Sequence, residues 1–162
     1  MVSIVYSSVT GNTKLLADSI KNYLDGKVAY FGKPGVEALA SDKIYVGFWT
    51  DKGEANKEAL DFLRALNNKK IFLFGTAGFG VSDEYFNKII ERTKEAINDS
   101  NEVIGSFMCQ GKMPQSVKDR YLKMKESGSK IPNIDLLIDN FNKALAHPNS
   151  DDITNLLNTI KQ

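Results

Sequence analysis

The sequence predicts an α/β protein, a three-layer sandwich with helices on both faces of a five-stranded parallel sheet. Short apolar, β-branched runs alternate with amphipathic helical stretches along the first two-thirds of the chain. The third run, Lys43 to Trp49, is apolar almost throughout, as expected of a strand covered on both faces. Small-residue loops containing glycine follow the first, third and fourth runs, the first of them hydroxyl-rich, where ligands of such sheets gather.

Val2 to Tyr6 reads as the first strand. Asn12 to Leu24 follows as a helix, with Leu16, Ile20, Tyr23 and Leu24 at helical spacing. Lys27 to Phe31 is the second strand, broken by Lys33-Pro34-Gly35, with room for one short helical turn before Asp42. After the third strand, Glu54 to Leu66 is helical, with Ala55, Ala59, Phe62, Leu63 and Leu66 on one face. Ile71 to Phe74 is the fourth strand and ends at Gly75. Ser82 to Ile97 is the best-marked helix. Ser82 suits its cap, Asp83 and Glu84 suit its positive end, and Phe86, Ile89, Ile90, Thr93 and Ile97 form its stripe. Glu102 to Met108 is the fifth strand. Helices are then expected at Pro114–Glu126, Asn133–Leu145 and Asp151–Ile160, making residues 113–162 a helical extension packed on or beside the core of a single 1–162 domain.

Composition narrows the function. The 162 residues are 42% hydrophobic and 25% charged, which suits a globular chain able to bury a core. No apolar run approaches the ~20 residues needed to span a bilayer. The start of the chain has neither a basic segment nor an apolar stretch of signal-peptide type, so a cytoplasmic location is expected. One cysteine, Cys109, and one histidine, His147, argue against a cysteine-cluster metal site, an intramolecular disulfide or a Ser-His-Asp triad. Neither a metal nor a catalytic side chain is expected. A net charge of +1 gives no general attraction to nucleic acid or anionic membrane.

The chemistry lies at the strand ends. Ser8-Val9-Thr10-Gly11-Asn12-Thr13 leads directly into a helix. Free backbone N–H groups and the helix dipole favour an anion there, with Ser8, Thr10 and Thr13 hydroxyls as further donors and Gly11 permitting close approach. Capping of the helix by Asn12 or Thr13 explains one such residue but not six in a row. The spacing is neither that of a P-loop nor that of a dinucleotide fingerprint. Lys14 is the one cation beside it, so a terminal phosphomonoester fits better than a triphosphate with magnesium. Phe48-Trp49-Thr50-Asp51-Lys52-Gly53 places the sole tryptophan at a strand end, and Gly75-Thr76-Ala77-Gly78-Phe79-Gly80 sets a lone aromatic among glycines. Each ring alone is readily explained as packing. Together, beside a phosphate cradle, they are placed to grip a flat aromatic ligand, at roughly 0.5–1.5 kcal/mol per stacked pair beyond burial.

These loops resemble the flavodoxin family. Ser8 to Thr13 matches its Ser/Thr-x-Thr-Gly-x-Thr phosphate loop, Gly75 to Gly80 its glycine–aromatic loop, and Trp49 the loop that covers the other flavin face. The resemblance implies the strand order 2-1-3-4-5 and non-covalent FMN. It also implies that Ser8, Thr10, Asn12 and Thr13 bind the phosphate, with Val9 and Gly11 in the same cofactor-binding loop, and that Trp49 and Phe79 bracket the ring. Phe48, Thr50, Asp51 and Gly53, then Thr76, Ala77, Gly78 and Gly80, and finally Cys109, Gln110 and Gly111 complete the implied cofactor site. The Thr50–Gly53 turn is expected to offer a backbone carbonyl to flavin N5. Cys109-Gln110-Gly111-Lys112-Met113-Pro114 resembles a flavodoxin-like branch associated with bacterial bilirubin reduction.

The expected role is therefore an FMN electron carrier serving a redox partner enzyme, such as a reductase of a bilirubin-type tetrapyrrole. The alternative is an NAD(P)H-dependent FMN oxidoreductase acting directly on a small molecule. A phospho-receiver would need paired acids after the first strand, where Ser7 and Ser8 stand. A flavin-free interaction module is disfavoured by the intact loops. Between Lys112 and Lys130 six basic residues face Asp119 and Glu126, a local excess of +4. That segment is either a solvated face or a docking patch for an acidic partner or an anionic substrate. Cys109 reads as a buried, inert thiol and His147 as structural.

Overall fold

The computed structural model describes residues 1–80, 82–128 and 131–161. Its elements are β1 (Val2–Tyr6), α1 (Asn12–Leu24), β2 (Val28–Gly32), a 3-10 turn (Val36–Ala40), β3 (Lys43–Asp51), β4 (Glu54–Ala55) and α2 (Lys57–Arg64). They continue with β5 (Lys70–Ala77), α3 (Asp83–Lys94), β6 (Glu102–Gln110), α4 (Gln115–Glu126), α5 (Ile134–Ala144) and α6 (Ser150–Lys161). The main strands run in the order β2-β1-β3-β5-β6, all parallel. That is the expected 2-1-3-4-5 order once the two-residue β4 is set aside, since β4 pairs only with β3.

Side-chain alternation along the strands builds two cores. On one face Val5, Ile44, Val46, Phe48, Ile71 and Leu73 pack with Ala59 and Leu63 of α2 and Ile89 of α3. On the other face Ile4, Tyr45, Phe72 and Phe74 pack with Leu16, Ala17 and Ile20 of α1 and Leu156 of α6. The last helix therefore belongs to the body of the sandwich, whereas α4 and α5 pack chiefly against each other.

The glycines of β3 and β5 interlock with aromatic rings. Gly47 pairs with Phe74 and Phe48 with Gly75 in the β3–β5 register. A Cβ on Gly47 would lie 2.4 Å from the Phe74 ring, and one on Gly75 would lie 2.4 Å from the Phe48 ring. Each strand thus leaves a bare backbone position for its neighbour's ring, on opposite faces of the sheet.

Two expectations change. The strands run further than their apolar cores, to Asp51, Ala77 and Gln110. The region expected to be helical from Glu54 instead begins with a hairpin, in which Thr50 pairs with Ala55 and Asp51 with Glu54. Its two central residues, Lys52 (φ 53°) and Gly53 (φ 85°), both take the left-handed conformation that tight hairpins favour. Helix α2 starts only at Lys57. At α3 the expectation holds, because Ser82 Oγ accepts the Tyr85 N–H at 3.2 Å. Among the described residues no helix is long and apolar enough to cross a membrane.

Candidate functional site

The three strand-end loops meet at one end of the sheet. They enclose a cavity of about 210 Å³. Val9, Thr10 and Asn12 line it from the first loop, Trp49 and Thr50 from the end of β3, Thr76, Ala77 and Gly78 from the end of β5, and Gly111 after β6. Nine expected residues are thus brought together. A second hollow, about 240 Å³, is lined by Thr50, Lys52, Gly53, Gly78, Phe79 and Tyr85, and Met113 lines both. A larger hollow of about 540 Å³ lies between the 3-10 turn and α2 and contains none of the loop residues.

The first loop turns into α1 through Gly11, whose φ of 88° is the left-handed conformation glycine adopts without strain. No side chain caps α1. The first helical bond runs from the Leu15 N–H to the Gly11 carbonyl, so the earlier N–H groups lie outside the helical ladder. The Lys14 N–H reaches Ser8 Oγ at 3.3 Å. The Asn12 amide donates to the Lys112 carbonyl at 2.8 Å, and the Thr10 hydroxyl donates to the same oxygen at 3.4 Å. Thr13 behaves differently from its neighbours. It is buried, donates to the Phe48 carbonyl at 3.0 Å and lies 3.2 Å from the Thr76 hydroxyl. Its side chain ties the loop to the strand ends and its backbone faces the loop. Ser7 donates to Glu58 Oε1 at 2.6 Å. The Lys14 ammonium pairs with Asp18, whose hydrogen bond and charge raise the lysine pKa, so neutral donors dominate the loop.

Trp49 is half-buried and its backbone is clamped twice by Asn56. The Asn56 N–H donates to the Trp49 carbonyl at 3.0 Å, and the Trp49 N–H donates to Asn56 Oδ1 at 3.3 Å. Thr50 Oγ1 donates to the Thr76 carbonyl at 2.8 Å. In the hairpin, the Gly53 carbonyl accepts from Arg92 at 3.4 Å, and a Cβ on Gly53 would lie 2.4 Å from that guanidinium. Phe79 stands at the rim, 36% exposed.

The tail contributes residues that strand-end reasoning missed. Gln110 donates to the Gly78 carbonyl at 2.9 Å, and Asn140 of α5 donates to the same oxygen at 3.1 Å while accepting from Gln110. The Lys112 N–H donates to the His147 carbonyl at 3.0 Å, and His147 Nδ1 lies 2.7 Å from Asp152. Lys112, Met113 and Pro114 line the cavity. Asn56, Met113 and Asn140 carried no signal in the sequence, since single amides and a methionine are ordinary packing residues until the fold brings them to a strand end. Phe48, Asp51 and Cys109, with Gln110, Gly80, Ser8, Gly11 and Thr13, line neither hollow. They frame the site instead.

Cys109 is 4% exposed. Burial, helped by the negative charge of Asp152, pushes its thiol far above the ordinary range. The neutral thiol is therefore the folded form. An unfolded chain ionises above about pH 8.5, so this group's contribution to the fold is fully present below that pH and is lost progressively as pH rises above it toward the folded thiol's own pKa. Native protein treated with iodoacetamide at pH 8 is expected to remain unlabelled at Cys109 and to become fully labelled in urea, as read by intact mass. Rapid native labelling would contradict this.

Comparison with known proteins agrees with the geometry. A family model described as a flavodoxin domain matches residues 3–161. A relative named flavodoxin-like domain-containing protein BilS, from Clostridium symbiosum, is 37% identical over 169 aligned residues, covering 93% of this chain and 89% of its own. A protein of the same name from Clostridioides difficile is 35% identical, covering 93% and 88%. The solution structure of two-electron reduced Megasphaera elsdenii flavodoxin superposes with a TM-score of 0.51 at 25% identity, covering 72% of this chain and 90% of that one. The chain belongs to the flavodoxin family and matches its BilS-named branch, a flavodoxin-like redox protein for which membership implies FMN as cofactor.

Proposed function

We propose that the protein binds FMN across the strand ends and carries electrons for a partner enzyme. The observation that supports this most is the convergence of the phosphate-type loop, Trp49 and the Gly78 loop on one cavity. The residues present fit the group. Gly11 opens α1 without a side chain over the loop, and a Cβ there would meet nothing within 4 Å. Backbone N–H groups of Asn12 and Thr13, with the Ser8 and Thr10 hydroxyls, suit a phosphate held by neutral donors. Thr50, Thr76 and Gly78 line the cavity beside Trp49, and Trp49 and Phe79 offer apolar faces. Bound FMN supplies the redox chemistry. The chain's residues position it and exclude water from one side of it. In the Lys52-Gly53 hairpin the Gly53 carbonyl accepts from Arg92.

The partner we propose is a reductase of a bilirubin-type tetrapyrrole, following the branch resemblance carried by Cys109 to Pro114. Its docking surface is the basic segment. Lys130 lies outside the described residues. Within the described part, two of the cations are engaged in holding α4 to α5, because Lys118 donates to Asn142 at 3.0 Å and Lys125 pairs with Asp135 at 2.7 Å. Arg120 and Lys123 are exposed and have no carboxylate partner among the described residues. Arg120→Glu with Lys123→Glu is expected to slow electron exchange with the partner several-fold at low salt, to lose that effect at high salt, and to leave FMN affinity unchanged. Equal rates at low salt would contradict the docking role.

Anaerobic reduction tests the carrier reading. With NAD(P)H alone the flavin should reduce slowly, and a catalytic amount of a flavodoxin reductase should make reduction fast. Rapid turnover with NAD(P)H alone would instead identify an oxidoreductase.

A further inference from the structure

We propose that the Met113 side chain is a movable partition in the ring slot, and that it swings aside to admit the flavin's fused rings. The proposal rests on the FMN reading above. The hollows on its two sides, about 210 Å³ with Trp49 and about 240 Å³ with Phe79, share three lining residues, Thr50, Gly78 and Met113. Each alone falls below the roughly 300–1,000 Å³ usual for pockets holding organic ligands, and joined they reach it. A flat ring gripped by both Trp49 and Phe79 has to occupy the space where the two hollows meet.

Of the three shared residues, two are held fast. Thr50 is bonded through its hydroxyl to the Thr76 carbonyl and stands opposite Ala55 in the hairpin. Gly78 has its carbonyl gripped by the Gln110 and Asn140 amides. Met113 is the one whose wall is a long, unbranched side chain. Its thioether lies directly on the bare backbone of Gly78, where a Cβ would come within 2.6 Å of Sδ and 2.7 Å of Cγ. Glycine at 78 therefore gives the methionine its seat.

The backbone leading into Met113 is anchored, so side-chain rotation is the motion available. The Gly111 N–H donates to the Ala77 carbonyl and the Lys112 N–H to the His147 carbonyl, and the Lys112 carbonyl accepts from Asn12. Methionine has three rotatable bonds and a polarisable sulfur that packs well on aromatic edges. The same side chain thus fills the slot when the ring is absent and lies along the ring's edge when it is present. A partition that must open lowers the fraction of binding-competent molecules and so slows association.

Stopped-flow quenching of FMN fluorescence by the apoprotein tests this. Met113→Ala removes the partition and should raise the association rate several-fold above the unaltered protein. Met113→Ile, stiff at its first torsion, should lower it. A purely structural methionine would change the dissociation rate and leave association alone, so equal association rates for all three proteins would overturn the proposal. Absence of FMN binding in every protein, the unaltered one included, would overturn the FMN reading beneath it. Binding by all three with the order alanine, methionine, isoleucine supports both.

Discussion

Gly75→Ala is expected to destabilise the protein by about 1–3 kcal/mol, the usual cost of overpacking a close-packed interior. The added methyl would stand 2.4 Å from the fully buried Phe48 ring, between sheet and helix. Nothing flexible is at hand to yield, since Phe48 packs within the core formed with α2 and α3. The ring has to turn or β3 has to shift along β5, and the second motion carries Trp49, the next residue, with it. Urea unfolding should show a lower midpoint with an unchanged slope. Phe48→Leu, itself destabilising, should be coupled favourably to Gly75→Ala, because the shorter side chain frees the space the methyl needs. Additive effects would contradict the interlock, and an unchanged midpoint for Gly75→Ala alone would contradict the packing on which it stands.

Trp49→Ala is expected to weaken FMN by about 1–3 kcal/mol through lost aromatic burial and stacking. That corresponds to roughly five- to 150-fold in the dissociation constant. The fold should survive the change. Trp49 is half-buried at a strand end, and its backbone is held by Asn56 whatever side chain it carries. Thermal unfolding of the apoprotein therefore separates the two effects, with a small shift accompanying a large loss of flavin affinity. Unchanged affinity would mean that the indole does not face the ring.

The fold was largely legible because its physical signals are local. Apolar runs of strand length alternate with stripes at helical spacing, and Ser82 with Asp83 and Glu84 marks a helix start unambiguously. The β4 hairpin escaped because a two-residue strand has no periodicity of its own. Ala55 and Ala59 fit a helical stripe equally well, and Lys52-Gly53 is a weaker hairpin signal than Asn-Gly. The strand ends beyond Trp49, Phe74 and Met108 were hidden by polar residues. Thr50, Thr76 and Gln110 belong to the ladder through their backbones while their side chains serve the loops.

For the candidate site, the loops that meet at the cavity were legible and the residues that frame them were not. Ser8 to Thr13 announces itself as consecutive small donors before a helix, and spacing alone does not reveal that the Thr13 hydroxyl turns inward to Phe48 and Thr76. The contributions of Asn56, Met113 and Asn140 depend on contacts across 7, 35 and 62 residues of chain, the last two reaching Gly78. Such contacts exist only after the sheet has formed. The C-terminal extension proved to be two different things, with α6 completing the α1 layer and the α4–α5 pair bracing the Gly78 loop through Asn140.

The most direct test is equilibrium titration of the apoprotein with FMN and, in parallel, with riboflavin, followed by flavin fluorescence and the visible spectrum. Saturable one-to-one binding of FMN is expected, with its fluorescence quenched beside Trp49, and weaker binding of riboflavin, which lacks the phosphate proposed to sit in the Ser8–Thr13 loop. Absence of saturation by FMN at millimolar concentration would contradict that expectation.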